Sequence, residues 1–416
     1  MKKFVVILLV ACLALGGAVA YFGSRTDAND PGEPVALYDP ENVSAPETPE
    51  EAAPADGEQS EAVVFRALDY EKIWALHAPD EVVGSVDGRD ITWDEYFYWL
   101  HDVGAQAESY IQMMLLYGQS LDWSDKLSAD SEETLAEYVL TLAGESARQL
   151  GVVEAVAEEN GVTLTPENEA ELAADLQEVI ASVCGEGATE EDLDAYLQEN
   201  YISRAMYDRI GRANYLFQNT FVELYGLSGE KVSEADALAY LEENGYLGAA
   251  HILFMTIDPN TYEPLDEATI AQKLQQAEAV SAELRAIEDV EARAARFAEL
   301  KEQYCEDSGK AAYPDGYLFT PGTRVDEFED GTKALAEYEV SEPILSAWGY
   351  HVIMRLPLSA EMTLQYSDAG TPMTARSTYA DEQFNAMMSA RIEQSVLELG
   401  DAVKTLDLMD YLVEAE

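Results

Sequence analysis

Ala249-Ala250-His251-Ile252-Leu253-Phe254-Met255 is the stretch on which the reading of this chain turns. Every residue in it except His251 is apolar, and the run has no helical period. That is the pattern of a short strand buried in a sheet. Working outward toward the C-terminus, the pattern predicts helices over Glu267–Ile287 and Val290–Tyr304. A turn-rich segment follows, with Ser308-Gly309, Tyr313-Pro314-Asp315-Gly316 and Thr320-Pro321-Gly322. A helix from Phe328 to Leu335 comes next, then two closing strands at Pro343–Leu345 and Gly349–Leu356. Strands and helices mixed in this way predict an α+β domain over 246–358.

On the N-terminal side, Val82 to Thr92 alternates around Asp87-Gly88 and reads as a hairpin with a tight turn. Thr92 followed by Glu95 predicts a capping box for a helix whose aromatic face carries Tyr96, Phe97 and Trp99. Helical patterns then dominate 64–245. They cover Leu135–Leu150, Pro166–Val183, Glu190–Asn200 and a run through Tyr215, Phe217, Phe221 and Leu224, with Gly161 and Gly185 as breaks. On the C-terminal side, within 359–416, Phe384, Met388, Ile392, Val396, Leu399 and Val403 recur at helical spacing. A helix so apolar on one face should dock on the N-terminal helices.

The first 23 residues differ from all this. Lys2 and Lys3 precede an uncharged apolar run from Phe4 to Phe22, about the length of a membrane span. Three fates stay open: cleavage after Ala18-Val19-Ala20, lipidation at Cys12 in Leu9-Val10-Ala11-Cys12, or retention as an anchor. Each exports the remainder, so the expected location is extracytoplasmic, anchored or secreted at the outer face of the cytoplasmic membrane. Residues 24–63 are acidic and hold six prolines from Pro31 to Pro54, a composition that predicts a disordered tether.

The chain carries 81 acidic against 24 basic residues, a net charge of −57. Such a surface repels phosphate backbones, which excludes nucleic acid as a partner, and the membrane is expected to be met only through the N-terminal segment. Three scattered cysteines, Cys12, Cys184 and Cys305, form neither a disulfide framework nor a zinc site. No cofactor or metal is expected, since phosphate-binding loops, HExxH and GxSxG are all missing. The four histidines are His77, His101, His251 and His351, and two of them lie on expected strands.

In order and spacing, five motifs resemble the parvulin-type peptidyl-prolyl isomerases of the PrsA/SurA foldases. Ala250-His251-Ile252-Leu253 resembles their opening strand, and Phe297 to Tyr304 with Glu306-Asp307-Ser308-Gly309 resembles the helix and acidic loop. Gly322, Phe328-Glu329 and Glu339-Val340-Ser341-Glu342-Pro343 match the middle, and Gly349-Tyr350-His351-Val352-Ile353 the closing strand. The hairpin and helices of 82–245 resemble the chaperone module that precedes such domains. The resemblance implies a multidomain fold, a mostly α-helical chaperone domain plus an α+β isomerase domain with a small antiparallel sheet.

It also implies roles. His251, Asp307 and His351 would form the catalytic network, oriented by Ser346. Phe328, Phe319, Arg324 and Trp348 would contact the substrate. Rotation about an X–Pro amide has a barrier of about 18–20 kcal/mol because resonance stiffens the C–N bond. No bond breaks, so the site needs neither a nucleophile nor a cofactor, only a preference for the twisted amide. Two departures stand out. Arg324 replaces a pocket-lining Met, and Tyr313-Pro314-Asp315-Gly316-Tyr317 replaces a glycine-rich run with an apolar pocket residue. The expected activity is isomerisation of X–Pro bonds in unfolded or newly exported polypeptides. A holdase with a weak or inactive isomerase domain is the rival, and a homodimer stays open.

Overall fold

The computed structural model describes residues 65–127, 131–314, 316–366 and 372–414. The expectations for 1–63, including Cys12 and the tether, lie outside the described residues. Among the described residues no helix is long and apolar enough to cross a membrane. The chain divides into two compact units. Of the described residues, one unit joins 65–223 with those from Phe384 onward, and the other is Leu224–Gln383.

The first unit is helical with a small sheet. Its strands Val82–Val86 and Arg89–Thr92 form the expected hairpin. Asp87 and Gly88 take φ of 51° and 80° in the turn, the left-handed pair that suits a two-residue hairpin. The helix Trp93–Leu116 follows and buries Trp93, Tyr96, Phe97, Trp99 and Leu100. Its capping box is only half formed. Thr92 accepts from the Glu95 N–H, but the buried Glu95 carboxylate turns to Arg209 at 2.6 Å, a charge-assisted bond stronger than the reciprocal cap. Complete boxes form instead at Thr134, Thr165 and Thr189, which start Leu135–Glu159, Pro166–Val183 and Glu190–Glu199.

The C-terminal pattern does not stay helical through Val403. The helix Ala375–Gln394 ends, and Leu397–Leu399 becomes a strand on the hairpin edge, Leu397 opposite Val86 and Leu399 opposite Gly84. Unpaired edge groups on Val82–Val86 compete for these residues and win. Arg148 holds the crossing in place by donating to the Ser395 carbonyl at 3.0 Å, to Ser395 Oγ at 2.8 Å and to the Ile392 carbonyl. A second pair, Arg66–Leu68 with Leu412–Glu414, ties the described ends together.

The second unit is built on a four-stranded antiparallel sheet. Its order is Tyr317–Phe319, Leu247–Met255, Gly349–Leu356, Ile344–Leu345. Ala250, Ile252, Phe254, Val352 and Met354 pack with Ala277, Val280, Leu284, Phe297 and Leu300 of the helices Glu267–Arg285 and Val290–Tyr304. Ala249 and Ile353 pack instead with Phe319 and Phe328, the latter on the short helix Asp326–Lys333. The unit is wider than 246–358. The helix Glu234–Glu243 and the hairpin Thr363–Tyr366 with Pro372–Thr374 belong to it, and Tyr240, Leu241, Met362 and Ala375 share a core with Leu318 of the edge strand.

Candidate active site

Register places the two histidines. His251 sits opposite Ile353 and His351 opposite Leu253, so they are diagonal neighbours on one face of adjacent strands. Diagonal pairs are within reach of aromatic side chains, and here the two Nδ1 atoms lie 2.9 Å apart. Both residues are buried.

Asp307 reaches them from the end of the helix Val290–Tyr304. Glu306 N–H donates to the Leu253 carbonyl at 2.9 Å, and Leu253 N–H to Cys305 Sγ at 3.4 Å, so backbone contacts clamp the loop to the opening strand. Asp307 Oδ1 accepts from Gly309 N–H at 2.9 Å, which caps the turn. Its Oδ2 accepts from His251 Nε2 at 2.8 Å and from the Tyr317 hydroxyl. At the other end, His351 Nε2 is 2.7 Å from Ser346 Oγ, which also accepts from Trp348 N–H at 3.1 Å.

The protons follow from these contacts. Burial alone would raise the Asp307 carboxyl, but the bonds from His251, Tyr317 and Gly309 outweigh it and hold the group well below the usual carboxylate range. Burial, then the neighbouring His251, pushes His351 down to about 3. His351 is therefore neutral near pH 7, with one N–H. An ionised Asp307 requires a proton on His251 Nε2, and the short Nδ1–Nδ1 contact requires a proton between the two rings. The four side chains thus form one continuous hydrogen-bond path from Ser346 to Asp307. Burial, then Asp307, raises the Tyr317 hydroxyl, keeping it a donor.

The remaining expected residues fall into two groups. Phe328 lies edge-on to both rings, 5.2 Å from His251 and 5.6 Å from His351, and Phe319 packs on Phe328 at 5.5 Å. Both are only 3 % exposed, so they brace the histidines and show little surface to a peptide. Arg324 is exposed, its guanidinium 5.2 Å over the Tyr317 ring. Trp348 is also exposed. Its ring meets Tyr262 at 6.1 Å and not the histidines, so only its backbone N–H joins the network. Cys305 is buried, with burial raising its thiol, and its contacts are to strand backbone.

Tyr317 was not among the expected site residues. It entered the reading only as part of a run lacking an apolar pocket residue. Its place opposite Ala249, diagonal to His251, depends on sheet register. Among the described residues no cluster of His, Cys, Asp and Glu is arranged to hold a metal ion.

Residues 251–356 match the family model described as Rotamase, PPIC-type PPIase domain, and this segment is a parvulin-type peptidyl-prolyl isomerase domain. The chain that carries it is a relative of the PrsA/SurA foldases. It is 50 % identical to foldase protein PrsA 1 of Bacillus cereus over 58 residues, 14 % of this chain and 20 % of that protein. To PrsA of Oceanobacillus iheyensis it is 26 % identical over 237 residues, 55 % of this chain and 67 % of the relative. To the chaperone SurA of Chromohalobacter salexigens it is 41 % identical over 80 residues, 19 % of this chain and 18 % of the relative. The matches to the first of these curated relatives span only 18 to 41 % of the relatives' own length. The crystal structure of PrsA from Bacillus subtilis overlaps 70 % of this chain and 93 % of its own, at 19 % identity and a TM-score of 0.24.

Proposed function

We propose that the isomerase domain speeds cis/trans isomerisation of X–Pro bonds and that the whole chain is an extracytoplasmic foldase. In this reading 246–358 carries the chemistry, while 64–245 and 359–416 hold unfolded or newly exported polypeptides. The segment 1–23 would direct export or anchor the chain.

The observation that carries the proposal is the continuous, largely buried hydrogen-bond path Ser346–His351–His251–Asp307. Twisting the X–Pro amide removes resonance and changes the charge on its carbonyl oxygen and nitrogen. A fixed polar network in a low-dielectric site needs no reorganisation as that charge changes, which lowers the barrier for the twisted state over the planar one. His251, His351 and Asp307 supply that environment, Ser346 orients it, and Phe328 packs against both rings. No covalent intermediate is needed.

Full-length chain in mild detergent should accelerate isomerisation of peptides varied before proline, and the His251→Ala/Asp307→Ala double variant should lose the acceleration. A second reading has its own support: Phe319 and Phe328 are covered, and Tyr317 with Arg324 stands where apolar pocket residues were expected. No acceleration of any peptide, together with suppressed aggregation of an unfolded client, would establish the holdase in place of the isomerase.

A further inference from the structure

Acidic residues outnumber basic ones by more than three to one in this chain, 81 against 24. An exposed arginine with no carboxylate partner is therefore unexpected, because acidic groups should be within reach almost everywhere. Among the described residues Arg324 is such an arginine, and it sits at the candidate site. Its contacts are the Tyr317 ring, 5.2 Å from the guanidinium carbon, and a long bond of 3.4 Å from Nη1 to the Thr323 carbonyl.

The two carboxylates that hold Tyr317 and the Arg324 backbone are engaged elsewhere. Asp307 accepts from His251, Tyr317 and Gly309 N–H. Glu329, 3 % exposed, accepts from Gly322 N–H at 2.8 and 3.0 Å, from Arg324 N–H at 3.0 Å and from Lys333 at 3.4 Å. Glu329 thus fixes the backbone that presents Arg324 without neutralising its side chain. The guanidinium lies on a ring whose hydroxyl is hydrogen-bonded to the same Asp307 oxygen as His251.

We propose that Arg324 is a specificity residue that selects X–Pro bonds flanked by an acidic side chain. Its planar fork matches a carboxylate, and Tyr317 beneath it limits the orientations it must give up on binding. The chain's net charge of −57 opposes an acidic peptide at long range. That field is screened over about 8 Å at physiological salt, whereas a contact pair at the site is not. The inference rests on the isomerase reading for the place of the site, so its test reads binding as well as rate.

The test uses full-length wild type, Arg324→Met and Arg324→Lys. Labelled proline peptides carry Glu, Ala or Lys immediately before the proline, and a second set carries them immediately after. Both kcat/KM for isomerisation and Kd by fluorescence anisotropy are measured, with thermal unfolding confirming that each variant is folded. Wild type should prefer Glu over Lys by roughly threefold or more in at least one set, the scale of a partly exposed ion pair. R324M should abolish that preference, and R324K should keep part of it. Preference in binding without acceleration would support Arg324 while removing the isomerase reading. Equal treatment of Glu and Lys by wild type, or a preference that survives R324M, would overturn the proposal.

Discussion

The Nδ1 atoms of His251 and His351 face each other at 2.9 Å, with the rings 13° from parallel. A proton lies between these nitrogens, and the groups at the far ends of the pair bear on which ring holds it. Asp307 requires a proton on His251 Nε2, and Ser346 completes His351 at its Nε2.

Ser346→Ala removes the hydroxyl at the far end of the pair, which is also the acceptor of Trp348 N–H. Stability should fall by about 1–2 kcal/mol in urea denaturation, the cost of leaving buried polar groups unmatched. Nitrogen NMR of the imidazoles should show His351 no longer held in one tautomer, and kcat/KM should drop. An unchanged tautomer and rate would remove Ser346 from the network.

Tyr317→Phe deletes one of two donors to Asp307 Oδ2. The carboxyl is held below its ordinary 3.8 in the folded state, so its stabilising contribution is present above 3.8 and is lost as pH falls below it. The variant should be about 1 kcal/mol less stable than wild type at pH 7. The gap should narrow at pH 3, measured by urea denaturation at both values. A gap independent of pH would place the effect in packing.

His351 takes up its proton at a much lower pH than an ordinary histidine. Its pKa falls from 6.5 to about 3 on folding, so the unfolded chain takes up a proton that the folded chain refuses. Stability is whole above pH 6.5 and erodes as pH falls from 6.5 toward 3, by at most about 1.4 kcal/mol per pH unit. His101 in the first unit, pushed down to about 4 by burial, adds a slope of the same sign. Unfolding of His351→Gln across this range should keep only the shallower dependence. The same steepness in wild type and variant would contradict the assignment.

Gly349 has a φ of 146°, and a Cβ there would lie 2.2 Å from the Phe254 carbonyl oxygen. Gly349→Ala should push the closing strand off its partner and cost more than about 2 kcal/mol in denaturation. Because His351 is two residues on, isomerase activity should fall with it. A loss below 1 kcal/mol would mean the strand end yields freely.

Arg148→Ala removes the donors that hold the Ile392 and Ser395 carbonyls. Hydrogen exchange should quicken across Leu397–Leu399 and its partner Val82–Val86, while the sheet containing Leu247–Met255 keeps its protection. Uniform exchange in both units would mean the C-terminal strand is held by its ladder alone.

Much of this could be read from local pattern. The opening and closing strands, the helices Pro166–Val183 and Val290–Tyr304, and the turn at Asp87-Gly88 all lie where periodicity and turn residues put them. The candidate site was not legible from local pattern: His251 and His351 stood out through their place in motifs that resemble the parvulin-type family, and each, being buried, has a hydrogen-bond partner. The expected helix through Val403 failed because its later residues pair with a strand more than three hundred positions away. The Thr92–Glu95 box failed because Arg209, more than a hundred positions away, took the carboxylate.

The sequence by itself determined which segments are strands and helices, because backbone propensity and burial period act over a few neighbouring residues, while the candidate site residues came from the resemblance of its motifs to the parvulin-type family. Only the tertiary structure decided that His251 and His351 meet diagonally, that Tyr317 shares Asp307 with His251, and that Arg324 has no carboxylate partner among the described residues. Those facts follow from strand register and long-range pairing. A one-residue slip in register would turn every side chain of a strand to the opposite face, and no local pattern records the partner against which that register is set.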